Sequence, residues 1–434
     1  MRKPHIKSFM QFLDASPTSY QAAENIKNAL QENGFTELKE TEIWQLKQGK
    51  KYFVVRDDSA VVAFITGKKL PHQTGYKMAV AHLDSPGLKI KPESEKQDYN
   101  NLRIFVEIYG FPIVSSWIDR ELSIAGRIIV KTKISAKNKS HSLQSIPVNF
   151  KKPIAIIPNA AFHLNRKLNN GFEYNAQNHL PAILQASLNE DKKYTFKDIV
   201  AEFSGQKEDS IIGMDLFLYD PKPACIVGID GEMLVSGRLD NLGMSHAILS
   251  SILESEAADA LQMAVFFDNE EIGSTTPQGA DSVFLSNILQ RIAFALGLTP
   301  EQNMIALRKS FLISADMAQA VNPNYADLHD PAYQPLLNHG PVIKMNAHQN
   351  YATNAASSAY FEEICQTANI PYQKIINRSD MSSGTTIGPI TAAKLGVNTV
   401  DIGNPMWAMH SIRETMGVYD HEFLIQALQH FYTK

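Results

Sequence analysis

Three features of this chain predict an α/β fold: an α/β/α layered catalytic domain with a mixed central sheet, interrupted by an inserted β-rich domain. Apolar runs of strand length alternate with segments of helical periodicity toward both ends of the sequence. Between about Lys91 and Val235 the texture changes to short β-prone runs with few long helical patterns. Several apolar runs also end in a histidine or carboxylate, as strands do where an open α/β sheet turns its carboxyl ends toward a ligand. The 434 residues, 44% hydrophobic and 20% charged, exceed one ordinary domain. The division these features suggest is a catalytic domain in two parts, 1–90 and 236–434, around an insertion at 91–235.

Along the chain, apolar residues recur at helical spacing from Ile6 to Leu13 and from Tyr20 to Leu30, with Gly34 closing the second helix. Tyr52–Val55, Ala60–Ile65 and Met78–Ala81 read as strands, separated by Asp57-Asp58-Ser59 and a polar Gly-Lys-Lys segment. Ile104–Ile108 and Ile128–Val130 typify the insertion. Beyond Arg238, helical segments at Met244–Leu253 and Val283–Leu296 alternate with apolar strands at Met263–Phe267 and Phe311–Ser314, and Val397–Val400 forms a fourth run.

Composition narrows the function classes. Lys plus Arg number 41 against 45 Asp plus Glu, a net charge of -4 without a run of five or six like charges, so neither nucleic acid nor an anionic membrane surface is indicated as a partner. Only Cys225 and Cys365 are present, which suits a reducing, cytoplasmic setting and excludes a thiolate zinc site. No stretch approaches the roughly 20 apolar residues of a transmembrane helix.

The chemistry-bearing residues sit at the ends of these apolar runs. Asp268-Asn269-Glu270-Glu271 follows Met263–Phe267. Read alone, the adjacent glutamates fit a metal ligand beside a proton acceptor, or solvated acids at a strand end or helix start. His82 and Asp84, two apart after Met78–Ala81, share a side; Asp84 suits the role of acceptor for the far ring N–H of a metal-binding His82, or of partner to a core histidine. Asp240, in Gly237-Arg238-Leu239-Asp240-Asn241, reads as a helix N-cap or as a carboxylate shared by two cations and held by Asn241. Asp316 ends the Phe311 run, Asp401 follows the Val397 run, and His410 lies in a short apolar setting. If the strands are parallel, His82, Glu270, Glu271 and Asp316 converge, and two histidines with four acids match a two-metal site. Imidazole and carboxylate without thiolate suit zinc, with manganese or cobalt compatible.

Ala81-His82-Leu83-Asp84-Ser85-Pro86-Gly87, Trp117 to Arg127, Gly237 to Asn241, Asp268 to Ser274 and Met409 to Glu414 together resemble the aspartyl aminopeptidase family of co-catalytic metallopeptidases. Phe162-His163-Leu164-Asn165-Arg166 and Gly340 to Lys344 extend the match almost from end to end. The resemblance implies removal of N-terminal residues from peptides, with Asp or Glu preferred. It implies that His82, Asp240 and Asp316 bind one divalent ion, and that Asp240, Glu271 and His410 bind a second. Glu270 would be the general base acting on the bridging water, and Asp84 would orient His82. His163 would reach a neighbouring subunit's site and stabilise an oxyanion, within a large homo-oligomer, a tetrahedral dodecamer, assembled through the β-rich insertion. Lys344 and Asp380 would serve substrate binding. Gln319, Gln21 and Asn269 stand where the family commonly has histidine, and a neutral Gln319 beside the pocket also admits neutral or broad specificity. A catalytically silent metal-stabilised scaffold is the alternative of another class, which would have no use for Glu270.

Overall fold

The computed structural model describes residues 4–133, 141–187 and 194–434. The chain divides into two compact units, one of 1–84, 224–409 and 414–434, the other of 85–223 and 410–413.

Among the described residues the first unit is built on a nine-stranded mixed sheet. Its strands lie in the order Thr36–Glu37, Lys51–Arg56, Ala60–Ile65, Leu261–Phe267, Tyr76–His82, Phe311–Ala315, Asn398–Gly403, Val342–Lys344 and Gln373–Ile375. The four from Leu261–Phe267 to Asn398–Gly403 run parallel. Their middle residues, 78–81, 263–267 and Leu312-Ile313, are apolar at successive positions because both faces are covered, as parallel sheets require. Ala79, Ala81, Ala264, Phe266, Ile313 and Val400 pack in one core with the helices Ile6–Ala15, Ser19–Glu32, Leu239–Leu253 and Val418–Thr433. The alternate positions Met78, Val80, Met263, Val265 and Leu312 point the other way, into a core with Phe284–Ala295, Pro300–Lys309 and Ile387–Leu395. Three layers result.

Register is what brings the polar strand ends together. Phe267 pairs with His82 and Ala315 with Ile402, so the residues that follow Phe267, His82 and Ala315 all leave the sheet at its carboxyl edge. Asp401 differs from its expected place. It lies inside Asn398–Gly403, level with Ser314, is fully buried, and accepts from Thr386 Oγ1 (2.7 Å) and the Ala352 amide (2.6 Å), so it braces two loops.

In the second unit, described by itself, Ile211–Tyr219 pairs antiparallel with both Gly87–Asp98 and Glu121–Lys133 and thereby closes a seven-stranded sheet into a barrel-like form. Leu88, Ile124, Ile128, Leu216 and Leu218 fill its core. The unit begins and ends earlier than the insertion expected at 91–235. Gly87–Asp98 pairs wholly within the barrel-like sheet, whereas Cys225–Val227 and Met233–Ser236 pair with each other and with Glu414–Gly417 in the first unit. Among the described residues, no helix is long and apolar enough to cross a membrane.

Candidate metal centre

The last residue of Tyr76–His82 supplies the central imidazole. The backbone carbonyl of Asp84 lies 3.0 Å from His82 Nδ1, and a carbonyl can only accept, so that nitrogen carries the hydrogen. Nε2 then faces Asp240 Oδ1 at 3.5 Å and Asp316 Oδ1 at 3.8 Å. Ser245 Oγ donates to the His82 carbonyl at 2.8 Å and ties the strand end to the helix Leu239–Leu253.

The Asp84 carboxylate takes a part beyond the one expected of it beside His82. Its Oδ1 is 3.4 Å from His82 Nδ1, longer than the carbonyl contact, while its two oxygens accept the backbone amides of Glu270 and Glu271, each at 3.1 Å. Asn269 is the reason those amides are available. At φ 63° it adopts the left-handed conformation that asparagine tolerates better than most side chains, and it turns the chain into the short 3-10 helix Glu270–Ile272. The first amides of that turn have no intrahelical acceptor, and Asp84 provides one.

Asp240 precedes the regular turns of its helix. With φ -83° and ψ 108° it stands in non-helical backbone, and its amide donates to Glu414 Oε2 at 3.1 Å. Asn241, expected to hold Asp240, instead donates from Nδ2 to the Ala315 carbonyl at 2.9 Å, fixing the strand immediately before Asp316. On the other side, the Asp316 amide donates to Ile402 at 2.9 Å, and a Cβ on Gly403 would meet the Asp316 carbonyl at 1.9 Å, so only glycine permits this approach. Lys344 is buried, with Nζ 3.6 Å from Asp316 Oδ2 and 5.5 Å from the Tyr351 ring centroid.

Within this unit, His82, Asp240 and Asp316 bring one ligand atom each within 4.8 Å of one another, and His82, Glu270 and Glu271 do likewise. Burial drives the Asp240 carboxyl well above the usual range, and the charge of Asp316 adds to it. Glu271 is raised well above its ordinary value by burial and then by Asp240. Burial pushes Glu270 to about 7, with His82 opposing and Asp316 and Asp84 reinforcing. His82 rises well above its ordinary value because hydrogen bonding to Asp316 and Asp84 outweighs its burial. Acids crowded in this way repel one another unless a cation lies among them, and neutral imidazole with several carboxylate oxygens is a zinc donor set. The residues present fit such an ion.

The other expected site residues are placed as follows. Asp380 is exposed, and Arg378 grips both its oxygens, at 2.9 and 2.7 Å. Gln319 is exposed at the end of the two-residue strand Ala318–Gln319. His163 is exposed on the second unit beside Phe162. His410 belongs to the short segment counted with that unit. Its Nδ1 lies 3.0 Å from the Phe111 carbonyl, which leaves Nε2 as the lone-pair nitrogen. Sequence reasoning missed the parts played by Glu414, Ser245 and Asp268. Glu414 could have been noticed as the single acid of the strand Glu414–Gly417, and Asp268 as the first of three acids; Ser245 carries no such signal. Asp268 is buried and raised to about 7 by burial and by the charge of Asp84.

A buried imidazole–carboxylate cluster at the carboxyl edge of parallel strands, in a three-layer unit, is the donor arrangement of an α/β metal-binding domain. The model of the aminopeptidase I zinc metalloprotease (M18) family matches residues 12–432, and the chain belongs to this family. It is therefore a zinc-dependent aminopeptidase. It is 44% identical over 428 residues to a probable M18 family aminopeptidase 2 of Clostridium acetobutylicum, covering 98% of both chains. A relative described in the same words from Pseudomonas syringae pv. syringae is 41% identical over 436 residues, covering 100% of this chain and 99% of that one. Among solved structures, the cryo-EM structure of the Ape4 and Nbr1 complex superposes with a TM-score of 0.93 at 35% identity, over 98% of this chain and 85% of that chain. The S. cerevisiae mApe1 dodecamer does so with 0.84 at 27%, over 99% and 96%.

Proposed function

We propose that this aminopeptidase uses two divalent ions per chain, zinc rather than manganese or cobalt. His82, Asp240 and Asp316 hold one; Asp240, Glu271 and His410 hold the other, with Asp240 shared. The observation that carries this reading is that His82, Asp240 and Asp316 bring one ligand atom each within 4.8 Å of one another, with Glu271 in a second such group at His82. The part of His410 rests on its place in the Met409 to Glu414 resemblance and on its lone-pair Nε2. Bound zinc supplies Lewis-acid polarisation of the scissile carbonyl and eases deprotonation of water.

Glu270 takes the proton from the attacking water and delivers it to the leaving amine. Support comes from its lesser burial than Glu271 and from its place beside His82 and Glu271. Asp84 holds both glutamate amides and so sets the direction of this pair. The reading is tested by Glu270→Gln, which should retain zinc and fold while losing about 10²–10⁴-fold in turnover; Glu271→Gln should lose zinc as well. Near-normal turnover in Glu270→Gln would remove it as the base.

On the resemblance, the substrate residue is Asp or Glu, with Lys344 and Gln319 toward its side chain and Asp380 toward its free α-amine or the pocket loop. A second reading, neutral or broad specificity, is favoured by two observations: Lys344 already faces Asp316 at 3.6 Å, and Gln319 is neutral. For assembly, we propose a tetrahedral dodecamer built through the barrel-like unit, with His163 completing a neighbour's site. The similarity to the mApe1 dodecamer and the exposure of His163 support it. A cytoplasmic location follows from the sparse cysteines.

A further inference from the structure

The metal centre occupies the carboxyl edge of the parallel strands; a cavity of about 770 Å³ opens at their amino edge, lined by residues such as Tyr76, Lys77, Phe311 and Asn398. Tyr76 and His82 begin and end one strand, and six steps of about 3.3 Å put the cavity roughly 20 Å from the centre. Its size lies in the range of small-molecule sites.

Its charge is one-sided. The side chains of Lys68, Lys77, Lys309 and Lys434 line it, against one acidic side chain, Asp259, which is already paired with Lys69 at 2.7 Å. Lys434 pairs with Glu363 at 3.0 Å, and Lys309 Nζ donates to the carbonyls of His72 (3.1 Å) and Gln73 (3.3 Å). Lys77 is the informative residue. Its Nζ donates to Tyr360 Oη at 3.1 Å and lies 5.2 Å from the Phe431 ring centroid, and among the described residues no carboxylate comes within ion-pair distance of it. Burial, with Lys434 adding repulsion, holds its ammonium down at about 8. A partly desolvated cation without a counter-charge is unfavourable, and an entering anion relieves it. Beside it Phe311 and Tyr360 pack on each other with ring centroids 4.2 Å apart, and the ammonium groups of Lys77 and Lys434 lie 5.9 and 5.2 Å from the Tyr360 ring centroid.

We propose that this cavity binds a phosphate-bearing small molecule of about nucleoside-monophosphate size, its phosphate held by Lys77, Lys309 and Lys68. Several ammonium groups with no anion of their own suit a dianion, and lysine serves phosphate as a point charge. The site is independent of the metal centre and of the substrate preference proposed above.

Calorimetric titration of the zinc-loaded full-length protein with adenosine 5′-monophosphate, inorganic phosphate and adenosine tests this. The monophosphate should bind, phosphate more weakly, and adenosine not at all. Lys77→Gln should weaken monophosphate binding by about tenfold or more, the worth of a charge-assisted contact, with peptide hydrolysis unchanged. Lys309→Gln serves as the second variant should Lys77→Gln fail to fold. Equal affinity for phosphate and monophosphate, lost together in the lysine variants, supports the site with free phosphate as its source. Absence of monophosphate binding, binding unaffected by both lysine changes, or binding lost instead in Glu271→Gln overturns the proposal, the last by assigning the anion to the metal centre.

Discussion

Asp84→Asn separates a carboxylate that organises the centre from one that merely fills space. The two Asp84 oxygens accept the Glu270 and Glu271 amides at 3.1 Å each, and Oδ1 lies 3.4 Å from His82 Nδ1. Asparagine keeps one accepting oxygen but turns an NH₂ toward the second amide, so one buried N–H loses its acceptor. That loss alone costs about 1–3 kcal/mol. An opposing effect is present in the metal-free protein: the Asp84 charge is among the repulsions that raise Asp268, Glu270 and Glu271, and the substitution removes it. We therefore expect metal-free Asp84→Asn to lose little thermal stability, corresponding to about 1 kcal/mol at the low end of that range. Zinc affinity and turnover should each fall about 10–100-fold, as when an outer partner of a ligand is lost. Competition with a fluorescent chelator measures the first, and initial rates at saturating zinc the second. Zinc affinity within twofold of the parent together with an unchanged rate would refute the organising role.

Zinc binding should release protons, because His82 in the metal-free cluster is held well above its ordinary value and, near neutrality, carries a proton that zinc must displace. Affinity should accordingly weaken as pH falls; identical binding enthalpies in buffers of different ionisation heat would contradict this. Comparing turnover of Asp-, Glu-, Leu- and Lys-initiated peptides decides the specificity, with equal or better rates on Leu excluding an acidic preference. Mixing His163→Ala with Glu270→Gln assemblies should restore part of the activity if sites are shared between subunits, and no recovery would confine His163 to a local role.

Much of the site was legible before any coordinates. Unbroken apolar runs marked strands buried on both faces, and the polar residues ending them, His82, Glu270, Glu271 and Asp316, are the ones the parallel register gathers at one edge. Asp240 was legible as a candidate but not in its backbone role, because a carboxylate near a helix start reads first as a cap. Asp401 was misjudged as a strand-end acid, since a run of apolar residues does not disclose which position is its last hydrogen-bonded pair. Lys344 was read toward the substrate, and its closeness to Asp316 emerges only where Val342–Lys344 pairs with Asn398–Gly403.

By itself, then, the sequence determined the elements, the layered class, the donor types and the family, because periodicity and residue chemistry are local properties. Tertiary structure decided which groups hold which. Asp84 meets the amides of Glu270 and Glu271 across 186 and 187 residues, and Asp240 meets Glu414 across 174. Pairings at such separations are set by strand register and helix docking, whose energy is summed over an entire core and written in no single segment.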